Sequence, residues 1–320
     1  MQVHLHRHQG VGAAIAFTIE PYPQFSWSMT RQRLLENCPR SYYFRYYLSH
    51  NGWLDDAPER SRLAYRLGKL TSLDALFGQE MDERAREIER RVRAGLSPPS
   101  LVELEEATRR TLRAAWKSSR DERTAFERSP KRTVMLRSFY LDDSPPDQRE
   151  IERINEKIPT CTANLLAAAD WEVVAACGGD GCVLIPDFAH FYLGGVKVFA
   201  APDLVYVAEG RLHVIDWKSG KPGDDDHLQV LLSAYCVGLE NPGLSLSPVL
   251  HYLLSGESVR PDVPDDLETF VADTVSPGLR AMRDLLHDPL ENAPLPESEF
   301  PRRESGLCSY CNFSRLCEAG

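Results

Sequence analysis

Two hydrophobic runs joined by a turn, each carrying a carboxylate at the same end, constrain this chain more than any other feature. Ala201-Pro202-Asp203-Leu204-Val205-Tyr206-Val207 and Leu212 to Trp217 flank Glu209-Gly210, a pattern that predicts a β-hairpin. Side chains alternate faces along a strand, so Asp216 and Lys218 point one way and Trp217 the other. The hairpin returns Asp203 to a place beside Asp216. Two carboxylates and an ammonium then converge at one sheet edge. Carboxylates are hard oxygen ligands for Mg²⁺ or Mn²⁺. Such a metal polarises a phosphodiester and lowers the pKa of bound water, while a nearby lysine stabilises developing negative charge. An Asp-x-Lys tripeptide alone is more often an exposed ion pair. The preceding Pro202-Asp203, the hydrophobic hairpin and the polar exit Ser219-Gly220-Lys221 favour the chemical reading.

Around this hairpin the chain reads as helices first and strands second. Ser26 to Leu48 is expected as an aromatic-rich helix capped by Ser26 or Ser28. Residues 60–94 and 101–126 are expected as helices, split by Gly95-Leu96-Ser97-Pro98-Pro99, and 147–169 as a further one. From Trp171 onward, residues 183–185, 190–193, 196–200, 204–207, 212–217 and 249–254 read as strands, with a helix from Asp226 to Gly238. Residues 262–273 and 289–301 read as solvated connections. The expected fold is α/β, with one mixed sheet packed between helices. The segments predicted are an extension (1–24), a helical segment (25–94), an Arg-rich helical insertion (95–170), a core (171–260) and a C-terminal segment (261–320).

Composition places the chain among ordinary soluble proteins: 42% of its 320 residues are hydrophobic and 26% charged, which excludes disorder and fibre. The apolar run from Val11 to Ile19 lacks the basic flank and cleavage site of a secretory signal, and no run spans a bilayer, so a cytoplasmic protein without membrane contact is expected. The net charge of −10 hides an asymmetry. Residues 84–137 hold fifteen Lys/Arg against eight Asp/Glu, and residues 221–300 four against fifteen. Arg109, Arg110, Arg113 and Lys117 lie in the basic segment, whose charge permits a phosphate backbone as partner without requiring one.

The last twenty residues carry Cys308-Ser309-Tyr310-Cys311 and then Cys317. Two thiols two residues apart chelate one metal, and three need a fourth ligand from elsewhere. Cys38, Cys161, Cys177, Cys182 and Cys236 are the candidates. Spacing alone favours a structural Zn²⁺, since a cytosolic setting disfavours disulfides.

Pro202-Asp203 followed by Asp216-Trp217-Lys218-Ser219-Gly220 resembles the core of the PD-(D/E)XK nuclease superfamily, and residues 214–222 are similar to its RecB-like branch. The resemblance implies a restriction-endonuclease-like mixed sheet flanked by helices. It also implies metal binding by Asp203, Asp216 and the carbonyl of Trp217, with Lys218 orienting or activating water. Asp187, on the strand before Gly194, matches a further carboxylate of that branch. Gly68 to Ser72 and Gly78 to Asp82 are the two candidates for its Gly-x-x-x-His, and the flanking residues favour the second, where Asp82 replaces His. Gln229 matches a DNA-contacting Gln. The Tyr expected one turn later is Ser233 here, and Tyr235 follows two residues on.

A RecB-like subgroup that includes CRISPR-associated nucleases and AddB-type nuclease domains closes its core with a [4Fe–4S] cluster. Cys38, in Cys38-Pro39 ahead of an aromatic helix, is similar to its first ligand and Cys308, Cys311 and Cys317 to the rest. That implies an iron–sulfur staple between the chain ends in place of zinc. The resemblance as a whole implies an Mg²⁺- or Mn²⁺-dependent deoxyribonuclease, an exonuclease on single strands or ends that leaves 5′-phosphate and 3′-hydroxyl. DNA repair, CRISPR adaptation and antiviral defence are the settings it implies. No G-x-x-x-x-G-K-[ST] occurs, so any unwinding would come from a helicase or defence-complex partner. Two other readings stand beside it: a catalytically degenerate DNA-binding scaffold subunit, and a structural zinc protein with a chance Asp-x-Lys.

Overall fold

The computed structural model describes residues 19–177 and 188–318. The strand expected at 183–185, Cys182 and Asp187 lie outside the described residues. Strand β1 (Ser26–Trp27) leads into α1 (Met29–Asn37), capped by Ser28, whose hydroxyl accepts the Arg31 N–H at 3.2 Å. The helix expected to reach Leu48 stops at Cys38. Pro39 then opens α2 (Pro39–Tyr43) at the one turn where a missing N–H costs nothing, and a π-helical turn follows at 44–48.

The helix expected over 60–94 is two helices, α3 (Glu59–Leu67) and α4 (Leu73–Arg93). Between them Thr71 pairs with Leu136, and Ser72 caps α4 by accepting from Ala75 N–H at 3.1 Å. Helix α5 (Leu101–Asp121) starts in a capping box, with Glu103 N–H donating to Ser100 Oγ at 3.3 Å and Ser100 N–H to Glu103 Oε2 at 2.7 Å. Helices α6 (Arg123–Arg128), α7 (Arg137–Leu141), α8 (Gln148–Leu166) and α9 (Asp170–Cys177) follow.

The expected single sheet is instead two main sheets. Strands β2 (His190–Leu193) and β3 (Val196–Phe199) form a hairpin, and β1 joins β3 in parallel. Strands β4 (Leu204–Ala208), β5 (Arg211–Lys218), β6 (Ser245–Tyr252) and β7 (Glu257–Val259) form a four-stranded sheet in that order. The β4–β5 turn holds Glu209 at φ +49° and Gly210 at φ +71°, the paired positive values of a tight two-residue hairpin. Helix α10 (Asp226–Glu240) is the crossover that makes β6 parallel to β5.

Residues expected as a solvated connection enter α11 (Leu267–Arg283), which buries Val271, Val275, Leu279 and Met282. Within it Pro277 is internal to the helix, and Gly278 serves close packing. A Cβ there would meet Gln32 Oε1 at 2.1 Å and Trp27 Nε1 at 2.8 Å, atoms that hydrogen-bond each other. A small hairpin, β8 (Leu286–Asp288) and β9 (Ala293–Pro294), and α12 (Ser314–Glu318) end the described chain.

Alternation along β4 and β5 gives the large sheet two different faces. Leu204, Tyr206, Ile215 and Trp217 pack with Phe77, Met81, Leu104, Ile154, Ile158 and Trp171 from α4, α5, α8 and α9. Val205, Leu212 and Val214 pack against Ala234 and Val237 of α10. The early helices and the last described one meet in a third cluster, where Phe44 and Leu67 pack with Phe313 and Leu316.

Candidate active site

The antiparallel register pairs Leu204 with Ile215. Extending it by one residue sets Asp203 across from Asp216, and Asp203 N–H donates to Ile215 O at 3.1 Å. Asp203 Oδ2 in turn accepts the main-chain N–H of Trp217 at 2.8 Å, so one carboxylate fixes the backbone of the neighbouring strand. Asp216 is 2% exposed. Its Oδ2 accepts no well-angled hydrogen bond among the described residues, although Lys218 Nζ lies 2.7 Å away. Gln229, on the first turns of α10, joins both partners: its Oε1 accepts from Lys218 Nζ at 2.9 Å, and its Nε2 donates to Asp216 Oδ1 at 3.3 Å. Gln229 thus holds the Asp–Lys pair rather than standing free.

Helix α4 brings a third carboxylate. Burial pushes Asp82 up to about 6; the Arg86 guanidinium and Lys218 oppose the rise, and the Asp216 charge adds to it. Asp203 stands well above the usual carboxylate range, first through burial and then through the charges of Asp216 and Asp82. Burial also raises Asp216, against the pull of Lys218. Three acidic groups that burial and mutual charge hold towards their protonated forms are the electrostatic mark of a place suited to a cation. The two windows proposed for the family's His are separated by position. A Cβ at Gly78 would touch Ser219 Oγ at 3.5 Å, at the exit of β5, whereas Gly68 borders the cysteine cavity described below.

Asp226, unmarked in the sequence, completes the surroundings. Its Oδ1 lies 3.8 Å from Lys218 Nζ, and its Oδ2 accepts from Gly223 N–H at 2.7 Å and Tyr252 O–H at 3.2 Å. Asp226 sits in the acidic run Asp224-Asp225-Asp226, which reads as solvated helix-capping sequence and masks the one buried member. Asp203, Asp216, Lys218, Gln229 and Asp82 are therefore gathered. Tyr235 is not among them: it lies on another side of α10, edge-on to Phe191 at 5.0 Å. Arg110, Arg113 and Lys117 are exposed on α5, and Arg109 pairs with Glu105 at 3.4 Å. Among the described residues, no hydrogen bond or ion pair links these four to the Asp–Lys centre.

The donor set fits a hard divalent cation, with two opposed carboxylates, a buried Asp216 oxygen that lacks a well-angled hydrogen bond beside the Lys218 ammonium, and a main-chain carbonyl at Trp217. Among the described residues, no three His, Cys, Asp or Glu side chains stand close enough together to hold a metal ion. Mg²⁺ asks for less, since it keeps several waters and takes one or two carboxylates. The thiols form no such group either. Cys38, Cys308, Cys311 and Cys317 all line one cavity of about 800 Å³ between the chain ends. Burial raises Cys317, and the charges of Cys38 and Cys311 add to the rise. Burial opposes ionisation of Cys38, but the N–H groups of Arg303, Ser41 and Arg40 and the Ser41 hydroxyl outweigh it and lower its pKa. Cys161 and Cys236 are core residues, raised by burial to about 11 and about 12.

A mixed sheet thus sets opposed carboxylates and a lysine on adjacent strands, with a helical carboxylate near them. The profile of the PD-(D/E)XK nuclease superfamily matches residues 26–318, and the chain belongs to that superfamily. No curated protein gives a significant match. No described helix is long and apolar enough to cross a membrane.

Proposed function

We propose that this chain is a metal-dependent deoxyribonuclease of the RecB-like branch that acts on single strands or ends. The reading is carried by buried Asp216 facing half-buried Asp203 across the hairpin, with Lys218 Nζ 2.7 Å from Asp216 Oδ2. Asp203, Asp216 and the Trp217 carbonyl would hold Mg²⁺ or Mn²⁺, with Asp82 replacing the family's His. The bound metal supplies Lewis-acid polarisation of the phosphodiester and a more acidic water. Lys218 orients that water and offsets charge gathering on the phosphate oxygens. Gln229 bridges Lys218 and Asp216 and so fixes the ion pair they form, and Asp226 stands 3.8 Å from the same ammonium. The exposed Arg110, Arg113 and Lys117 attract the phosphate backbone by charge.

Cys38, Cys308, Cys311 and Cys317 would hold a [4Fe–4S] cluster that ties the chain ends, so cluster binding would add to folding stability. One observation favours the scaffold reading: Tyr235 packs against Phe191 where the branch expects a DNA contact. End-labelled single- and double-stranded DNA, incubated with anaerobically purified protein and Mn²⁺, separates the two. Cleavage lost in both Asp216→Ala and Lys218→Ala supports the nuclease. DNA binding without cleavage on any substrate supports the scaffold.

A further inference from the structure

The face of β5 opposite the carboxylates carries a second constellation that the proposed chemistry leaves unused. Trp217 lies between two rings, Trp171 of α9 at 5.4 Å and 22° and His251 of β6 at 4.6 Å and 19°. The Trp217 indole N–H is buried and has no hydrogen-bond partner among the described residues. Stacking and packing, rather than a polar tether, therefore set that ring.

Both outer rings are anchored. Trp171 Nε1–H donates to Leu165 O at 2.7 Å. His251 Nδ1 lies 2.7 Å from Ser258 Oγ on β7. Its Nε2 lies 3.0 Å from Asp170 Oδ2, an electrostatic contact whose angle falls short of a good hydrogen bond. The tautomer protonated at Nε2 serves both contacts. Asp170, the first residue of α9, also accepts the Tyr206 hydroxyl from β4 at 2.8 Å. It is buried, and although burial opposes ionisation, His251 and then Tyr206 keep its pKa below the usual range. One carboxylate thus ties α9, β4 and β6 together behind the residue whose N–H is held by Asp203 and whose neighbours are Asp216 and Lys218.

We propose that Asp170 and His251 are positioning residues for the nuclease centre, bracing the Trp217 ring from behind and so fixing the backbone that presents Asp216, Lys218 and the 217 carbonyl. Backing partners of this kind change metal affinity or turnover by about 10–100-fold when removed. The inference rests on the metal-site reading above and adds the element that holds it rigid.

Binding of Mn²⁺, followed by the electron paramagnetic resonance of the free ion, gives a readout independent of cleavage. In His251→Ala the Mn²⁺ dissociation constant rises and kcat falls, each by about tenfold, while KM for DNA changes less than about twofold. His251→Phe, which restores a flat ring but not the Asp170 contact, recovers part of the lost affinity and leaves the Asp170 share missing. Unchanged Mn²⁺ binding and kcat in His251→Ala overturn the proposal, as does equal impairment in His251→Phe. Should His251→Ala not fold, Tyr206→Phe removes only the hydroxyl on Asp170. A fall of about threefold in Mn²⁺ affinity is then expected, and no change overturns the proposal. Asp216→Asn is the control: wild-type binding lost there but kept in His251→Ala sinks the brace alone. A wild-type protein that neither binds Mn²⁺ nor cleaves sinks the site reading and the brace with it.

Discussion

Replacing Asp82 by Asn should stabilise the metal-free protein at a pH where the unfolded chain has released the Asp82 proton, and not below it. Burial and the Asp216 charge put its pKa at about 6 in the folded chain, against an ordinary 3.8. Between these values the native state holds a proton that the unfolded chain has released. Stability is therefore lost as pH rises from about 4 through about 6, and the loss is complete above that. A rise of this size corresponds to ~3 kcal/mol at most. Asp82 keeps part of its surface in water, which lowers the expectation to about 1–2 kcal/mol. Urea unfolding with chelator present, at about pH 4.5 and about pH 8, reads the difference directly. The variant should lie close to the wild type at the acidic pH and exceed it at the alkaline one. Added Mn²⁺ should then reverse the order, because only the intact carboxylate set gains its full binding free energy on folding. A variant that is less stable at about pH 8 without metal, or shifted equally at both pH values, refutes the idea that burial and neighbouring charge oppose ionisation here.

Gln229→Ala frees Lys218 and Asp216 of their shared amide, so kcat should fall by about 10–100-fold with KM for DNA nearly unchanged in steady-state assays. Phe300 is fully buried, with ring centroids 4.9 Å from Tyr43 and 6.1 Å from Tyr47, so Phe300→Ala should cost about 3–5 kcal/mol in urea unfolding. Anaerobically purified protein should be brown, with absorbance at about 400 nm, and Cys308→Ser should lose the colour; a colourless protein with one bound zinc would overturn the cluster.

The site is more legible in the sequence than the fold around it. A period-two strand with Asp216 and Lys218 on one face and a turn-closed partner carrying Asp203 fix their neighbours locally, so pattern alone brings them together. Asp82 needs the family resemblance, because a helical carboxylate so far from the hairpin in sequence has no local signal. Asp226 is hidden by its neighbours Asp224, which is exposed, and Asp225, which is half-buried, and its burial depends on how α10 crosses back to β6. Tyr235 shows the reverse case: nearness to Gln229 in sequence is not nearness on a helix, and the intervening turns carry it to the side that meets Phe191. Helix α11 escapes a sequence reading because its start lies in the acidic, Pro-bearing stretch read as a solvated connection over 262–273, and within it Gly278 lets Trp27 and Gln32 approach. The split into two sheets lies between β3 and β4, which are consecutive in sequence but belong to different sheets, and β3 takes β1 as its second neighbour, a long-range choice that no local pattern encodes.

The most direct test is the single-turnover rate of DNA cleavage as a function of Mn²⁺ concentration, in the wild type and in Asp216→Asn. The account predicts a rate that saturates with Mn²⁺ in the wild type and falls by at least about a thousandfold in the variant, with the fold intact by circular dichroism. Cleavage that persists in Asp216→Asn, or that ignores the metal, would contradict it.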